Sequence, residues 1–133
     1  MPIAYIIDEQ SSRILATAEG STTNQDLIRY ATELHTDANV KPGMTELCDL
    51  SVLRPGELQI TSDGIRAMIE VEKQYPELRL NRRIPMFSPR DLEFGMTRIY
   101  QNSEEIEQED LSVEIRVFRS KVEAEAWLDQ HKG

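Results

Sequence analysis

Three polar residues in a row, Thr61, Ser62 and Asp63, stand where a helical hydrophobic pattern begins. A hydroxyl side chain at this point can accept a hydrogen bond from the unpaired backbone N–H groups of the first turn, which makes it a helix cap. An exposed serine at the positive end of a helix can also carry a phosphoryl group. The residues alone favour the cap for Ser62 or Thr61 and leave a regulated serine as the alternative.

Asp49 lies at the end of residues 44–50, which read as a buried strand. The carboxyl ends of strands in open α/β sheets are where ligands tend to bind. The simpler interpretation is that the Asp49 carboxylate accepts hydrogen bonds from N–H groups of the following loop. Cys48, one position earlier, is expected to be a small core residue and not a reactive thiol.

Arg98 and Tyr100 belong to a predicted helix that follows Ser88. Tyr100 continues the apolar stripe of that helix, so it is expected to pack in the core with its hydroxyl at the rim. Arg98 lies off the stripe, where it would face solvent, a partner or the acidic segment 101–110. Arg82 and Arg83 open a later strand, and nothing in the sequence assigns them a ligand.

No combination of residues points to catalysis or to a metal. The two histidines, His35 and His131, lie near predicted helix ends and have no zinc-ligand spacing with Cys48. The sequence lacks a glycine-rich phosphate loop and a nucleophile elbow. We therefore expect a protein that is not an enzyme and that uses neither a cofactor nor a metal.

The length and composition limit the kinds of molecule that this protein is expected to bind. A length of 133 residues predicts a single domain over residues 1–133. The net charge of −9 disfavours nucleic acid and anionic membrane surfaces. The chain has one cysteine and no apolar run near the roughly 20 residues of a membrane helix, so we expect a cytoplasmic protein without membrane insertion.

The predicted elements alternate between strands and helices. Residues 3–7 and 13–19 form a predicted antiparallel hairpin around a polar turn. The later strands and helices alternate, which favours a mixed, mostly parallel β-sheet with four flanking helices and with residues 44–50 as the central strand. The predicted helix starts are Thr23, Thr61 or Ser62, Ser88 and Ser120.

The sequence predicts two further structural features, one at Pro85 and one in residues 101–110. Pro85 lies within the predicted strand 82–87 and removes one backbone donor, so this strand is expected at a sheet edge or at a bulge. Residues 101–110 carry five acids and are expected to form a solvated loop.

Several segments, in their order along the chain, resemble the SpoIIAA-like fold of STAS domains, and more closely a group of short bacterial STAS/Sec14-like proteins of unassigned function. The resemblance covers nearly the whole chain. The segments that carry it are the strand 46–50, the helix start 62–66, the helix segment 94–100, and residues 117–119 followed by 123–128.

The resemblance implies a function for the segment around Ser62. In STAS anti-sigma factor antagonists, a strand ending like Asp49-Leu50-Ser51 leads to an Asp-Ser-Ser-Gly motif whose first serine is phosphorylated. Ser62 stands at that position, but Thr61 and Asp63 replace the first aspartate and the second serine. The implied function is a non-enzymatic regulatory or protein-interaction module, with a protein partner or self-association as a homodimer.

The Sec14 side of the resemblance implies a different function, a carrier of a small apolar or lipid ligand. Met68, Met96 and Tyr100 lie on helix stripes that would line its cavity, although core packing explains the same pattern. A small enzyme is the third and weakest alternative, because it would require an enclosed polar pocket with a perturbed acid or base.

Overall fold

The structure is a computed structural model that describes residues 2–107 and 113–130, without the side chains of residues 92–94 and 104–107. The strands are β1 (Ile3–Asp8), β2 (Arg13–Ala18), β3 (Thr22–Thr23), β4 (Thr45–Asp49), β5 (Leu58–Gln59), β6 (Arg83–Phe87) and β7 (Glu114–Phe118). The helices are α1 (Asn24–Thr36), α2 (Ser62–Glu72), α3 (Pro76–Arg79), α4 (Asp91–Glu107) and α5 (Lys121–Gln130).

Five strands form the main sheet in the order β1-β2-β4-β6-β7. The β1–β2 pair is antiparallel, and the other three pairs are parallel. This confirms the predicted hairpin, the mostly parallel sheet and the central position of β4. A second sheet of two residues per strand joins β3 to β5 in parallel, and β3 was not predicted.

Local capping explains where three of the helices begin. Thr23 accepts a hydrogen bond from the backbone N–H of Asp26, whose carboxylate accepts from the Thr23 N–H, so the two residues form a capping box at α1. Thr61 caps α2 by accepting from the Gly64 N–H. Before α5, the Ser120 hydroxyl accepts from the Glu123 backbone N–H and donates to the Glu123 carboxylate, which confirms Ser120 as the helix start.

The helices cover the sheet unequally. One face carries a core cluster in which residues of α1, α2 and α4 pack on Ile84 of β6 and Ile115 of β7. The other face is covered by α5, whose Ala124 packs against Leu47 and Phe87. Side chains alternate between the two faces along a strand, so Glu46 and Cys48 of β4 point toward the layer formed by α1, α2 and α4.

Several predicted details are wrong. The strand with Pro85 is not at an edge, because β6 lies between β4 and β7. The pairing of β6 with β4 begins at Met86, which pairs with Cys48. Pro85 precedes this first pair, so its missing backbone N–H removes no hydrogen bond between β6 and β4. A fifth helix, α3, begins at Pro76 and was not among the four predicted helices.

The region around α4 also departs from the prediction. Helix α4 begins at Asp91, and Ser88 is buried in the preceding turn. The helix continues to Glu107, so residues 101–107 are helical and not a loop; residues 108–110 lie outside the described part. On this helix the polar Thr97 is buried, whereas the apolar Ile99 is 39% exposed.

None of the helices in the described part of the chain combines the length and the apolar character needed to cross a bilayer.

Candidate ligand cavity and buried charge cluster

A cavity of about 80 Å³ lies between the sheet and the layer of α1, α2 and α4. Its apolar lining includes Met68 of α2, Met86 of β6 and Met96 of α4. The remaining lining residues are Ile3, Ala16, Ala18, Thr22, Leu27, Tyr30, Glu46, Cys48, Asp49, Leu50, Leu58, Ile60, Ile65, Glu72, Thr97 and Tyr100. The predicted trio of Met68, Met96 and Tyr100 therefore lines a real cavity.

Polar residues that are hidden from solvent, among them Glu72 and Tyr100, form one side of this cavity. Glu72 of α2 contacts Arg79 of α3, with 3.1 Å between the carboxylate oxygen Oε2 and Nη1. Tyr100 of α4 donates its hydroxyl proton to Glu72 Oε2 at 2.9 Å and accepts from Arg79 Nη2 at 3.2 Å. The side chains of Arg79 and Glu72 are 0% and 2% exposed. These contacts join three elements through one hydrogen-bonded group.

A second group adjoins the first through Glu46 of β4. Arg82 Nη1 donates to Glu46 Oε1 at 3.1 Å, and Arg79 Nη1 lies 3.6 Å from the same oxygen. The Tyr30 hydroxyl of α1 donates to Glu46 Oε2 at 2.7 Å. His35 completes the group through a 3.0 Å contact between its Nε2 and Arg82 Nη1. We call Glu46, Glu72, Arg79, Arg82, His35, Tyr30 and Tyr100 the buried charge cluster.

The cluster controls the protonation of its members. Burial by itself raises the pKa of Glu46, but Arg82 and Arg79 outweigh burial and hold the pKa below its usual range. Burial, reinforced by the Glu46 charge, raises the pKa of Tyr30 well above its ordinary value. Glu46 is therefore ionised and Tyr30 is a neutral hydrogen-bond donor at neutral pH.

Cys48 lines the cavity beside the cluster. Burial raises the pKa of its thiol well above the usual value, and the charges of Glu46 and Glu72 raise it further. Because the thiolate is the nucleophilic form, this environment makes Cys48 a poor nucleophile. The thiol acts as a small apolar group on the cavity wall, in agreement with its predicted role.

The structure separates the Thr61–Ser62–Asp63 segment from the cavity, since none of the three residues lines it. Thr61 is the helix cap, which confirms one of the two residues predicted for this role, and Ser62 is not the cap. Ser62 is the first residue of α2 and is exposed. Asp63 is also exposed, and its Oδ1 lies 3.7 Å from Arg66 Nη1.

The remaining predicted site residues lie in different places. Asp49 ends β4, lines the cavity and accepts from the Ser51 N–H at 2.8 Å and the Ser51 hydroxyl at 2.6 Å, which confirms the loop-bonding interpretation. Tyr100 is buried as predicted, but its hydroxyl is inside the cluster and not at the rim. Arg98 is exposed on α4 and does not line the cavity.

The sequence analysis did not predict the buried charge cluster, although two of its members, Glu46 and Glu72, are charged residues at positions expected to be buried. Glu72 was the one charged residue on the apolar face of α2, and Glu46 sat inside a buried strand. Arg79 and Arg82 gave no such signal, because Arg79 follows Pro76, a residue type that typically ends a helix, and Arg82 opens a predicted strand. Residues 2–107 and 113–130 contain no group of three or more histidine, cysteine, aspartate or glutamate residues able to hold a metal.

Comparison with known proteins identified a similar solved structure. No protein-family profile matches the chain, and no curated protein matches it in sequence. A solved structure matches along nearly the whole length: the crystal structure of an uncharacterized protein of the DUF3478 family with a SpoIIAA-like fold from Shewanella loihica PV-4. The match covers 95% of this chain and 93% of that chain, with a TM-score of 0.58 and 17% identity.

The fold is SpoIIAA-like. This confirms the fold that the sequence segments resembled, including the central β4 and the helix that follows it. At 17% identity the likeness to the DUF3478 protein concerns the SpoIIAA-like fold alone. Within this fold, the cavity and the buried charge cluster are the features of the chain with defined chemistry.

Proposed function

We propose that this chain is a non-enzymatic binding module that holds a small apolar molecule in the cavity between the sheet and helices α2 and α4. The observation that carries the proposal is the cavity itself, about 80 Å³ with a lining that is mostly apolar. Ligand sites are typically concave and apolar, with a few polar groups that fix orientation. The carboxylates and phenols of the cluster are those few polar groups here.

The size and flexibility of the wall define the ligand. An engineered apolar cavity of about 150 Å³ holds benzene, so a volume of about 80 Å³ encloses only a short apolar segment. Met68, Met86 and Met96 line it from three different elements, and methionine side chains adapt to irregular shapes. The wall can therefore adjust to a ligand larger than the cavity as it stands.

The protonation states of the cavity groups support binding over catalysis. The cavity contains Cys48 as a thiol with a raised pKa, and Glu46 as a carboxylate with a lowered pKa that contacts arginine. A general base needs a pKa near the working pH, and a nucleophile needs an available thiolate or alkoxide. These states favour a binding role.

Native mass spectrometry of freshly purified protein tests the proposal with a matched pair of variants. Ala16→Ile places a larger side chain on the cavity wall, and Ala4→Ile places the same side chain on the exposed side of β1. The wild type and Ala4→Ile should carry an added small mass that Ala16→Ile lacks. A clean mass for the wild type, together with no uptake of an added apolar probe, would refute the proposal.

A protein partner is the second candidate function, and the exposure of Ser62 at the start of α2 favours it. A phosphate there would meet the positive helix end, although Asp63 adds a neighbouring negative charge. Self-association as a homodimer has a separate basis, because β1 is an edge strand and its Ile6 is 68% exposed.

The single cysteine supports a cytoplasmic location.

The partner hypothesis has its own test. Affinity capture from the source cells with wild-type, Ser62→Asp and Ser62→Ala proteins should recover a partner whose binding differs between Ser62→Asp and Ser62→Ala. Equal recovery by all three proteins, or no recovery, would count against a switch at Ser62.

A further inference from the structure

We infer that the cavity selects an uncharged apolar molecule bearing a hydroxyl group and rejects the corresponding fatty-acid anion. The inference rests on the proposed function and specifies the chemical class of its ligand. It follows from an asymmetry in the lining. Glu46, Asp49 and Glu72 line the cavity, whereas its described lining residues include no lysine or arginine.

The two glutamates of the buried charge cluster already have cationic partners without a ligand. Glu46 and Glu72 face the cavity, and Arg79 and Arg82 contact them from outside the lining at 3.1 Å in each closest pair. A ligand carboxylate entering the cavity would thus be an unpaired charge in a water-poor interior, which is strongly unfavourable.

Asp49 adds repulsion where β4 ends. In the described part of the chain, no basic group lies within ion-pair distance of its carboxylate, whose Oδ1 oxygen accepts from the backbone N–H and hydroxyl of Ser51. An anion in the cavity would meet this negative charge as well. An uncharged ligand would meet neither the repulsion nor the desolvation penalty of an ion.

The hydrogen-bonding groups of the lining favour a donor on the ligand. Tyr30 donates its hydroxyl proton to Glu46 at 2.7 Å, and Tyr100 donates its own to Glu72 at 2.9 Å. A phenol has one proton to donate, so the Tyr30 oxygen keeps lone pairs that can accept from a ligand, whereas the Tyr100 oxygen already accepts from Arg79 Nη2. A ligand hydroxyl can donate to such acceptors, whereas a ligand carboxylate would place acceptor against acceptor.

The test is an NMR titration of protein labelled with carbon-13 on its methionine methyl groups. Met68, Met86 and Met96 line the cavity, and Met44 is buried elsewhere and serves as the internal reference. The probes are n-hexanol and n-hexanoate, which share a chain length and differ in the head group. At about pH 7.5, hexanol should shift the three cavity methyl signals, and hexanoate should bind at least about tenfold more weakly.

A pH series separates charge from shape. Lowering the pH from about 7.5 to about 5.5 raises the neutral fraction of hexanoic acid by nearly two orders of magnitude, because both values lie above its pKa. The apparent affinity for hexanoate should rise accordingly, and the affinity for hexanol should stay constant. If hexanoate bound as tightly as hexanol at about pH 7.5, the inference would be wrong, but the proposed function would stand. No shift of the cavity signals with either probe would overturn the proposed function and, with it, the inference.

Asp49→Asn tests the contribution of the carboxylate at the end of β4. The amide oxygen can still accept from Ser51, so the loop contact is retained while the charge is removed. The preference for hexanol over hexanoate should fall by at least about threefold. Asp63→Asn removes an exposed carboxylate that does not line the cavity and should leave the preference unchanged. An unchanged preference in Asp49→Asn would show that Asp49 does not contribute to selection.

Discussion

Arg82 donates a hydrogen bond from Nη1 to Nε2 of His35, with 3.0 Å between the two nitrogens. Arginine has no acceptor atom, so this contact requires a lone pair on Nε2 and a proton on Nδ1. The Nδ1 atom lies 2.7 Å from the carbonyl oxygen of Ala31, to which it donates. These contacts hold His35 in the neutral form that carries its proton on Nδ1. A second proton, on Nε2, would point at the positively charged guanidinium of Arg82.

This arrangement predicts a loss of stability in mild acid. Burial lowers the pKa of His35 from 6.5 to about 4. Because the unfolded chain binds the proton between these values and the folded chain does not, stability is lost as the pH falls from 6.5 towards 4. The free energy of unfolding should decrease by about 2 kcal/mol between about pH 7.5 and about pH 5, as measured by urea denaturation.

The variant His35→Gln identifies the residue responsible. Glutamine can accept from Arg82 but does not titrate, so its unfolding free energy should change much less over the same pH interval. A wild-type profile as flat as that of His35→Gln would show that protonation of His35 does not limit the stability. The carboxylate of Glu46 titrates at lower pH and does not confound this interval.

Arg79→Met should be strongly destabilising because it leaves Glu72 buried without its cation. The loss of one partner of a buried ion pair typically costs about 3–5 kcal/mol. Replacing both residues, as in Arg79→Met with Glu72→Met, should cost less than Arg79→Met alone, since no charge is then stranded. A urea-denaturation double-mutant cycle measures this coupling.

The exposed pair Lys73–Glu70 is the control for this cycle. Its charged atoms are also 3.1 Å apart, but the two side chains are 33% and 63% exposed. Lys73→Met should therefore cost less than about 1 kcal/mol. If Arg79→Met were as mild as Lys73→Met, the buried charge cluster would not be holding α2, α3 and β4 together.

Gly64→Ala should destabilise the protein although it introduces a better helix former. A Cβ atom at Gly64 would collide with the side chain of Asn24, whose own Cβ would be only 2.8 Å away. Asn24 accepts from the Thr61 N–H at 2.9 Å and donates to the Thr61 hydroxyl at 3.0 Å, so the collision would break the link between α1 and α2. The expected loss is about 1–3 kcal/mol.

Gly95→Ala on α4 is the matched control, since a Cβ there would meet nothing within 4 Å. Alanine should stabilise this exposed helical position by up to about 1 kcal/mol. Thermal denaturation of both variants should give shifts of opposite sign. A stabilising effect of Gly64→Ala would disprove the close approach of the two helices.

Thr61→Ala and Ser62→Ala should distinguish the cap from its neighbour. Thr61 accepts from the Gly64 N–H and from the Asn24 amide, so its replacement by alanine should cost about 1 kcal/mol or more. Ser62 is exposed in the first turn, and its replacement should change the stability by less than about 0.5 kcal/mol. A larger loss for Ser62→Ala, measured by chemical denaturation, would mean that the cap had been assigned to the wrong residue.

Local rules account for the parts of the fold that were predicted correctly. Thr23 and Ser120 identified helix starts because a cap and its partner lie within three residues of each other. The alternation in 3–7 and 13–19 identified the hairpin because its two strands are adjacent in sequence. The prediction failed for residues 101–107, where the run of acids outweighed the continuing helix, and for Pro85, whose missing donor falls outside the ladder with β4.

The sequence by itself determined the order of strands and helices, the central position of β4 and the mostly parallel sheet, because periodicity and capping act over a few residues. Only the tertiary structure decided which charged residues are buried. Glu46 and Arg82 are 36 residues apart in the chain, and their contact depends on β4 and β6 being neighbours. A buried charge is tolerated only when its partner arrives from elsewhere in the fold, so the cluster and the cavity beside it arise only when the sheet and helices assemble.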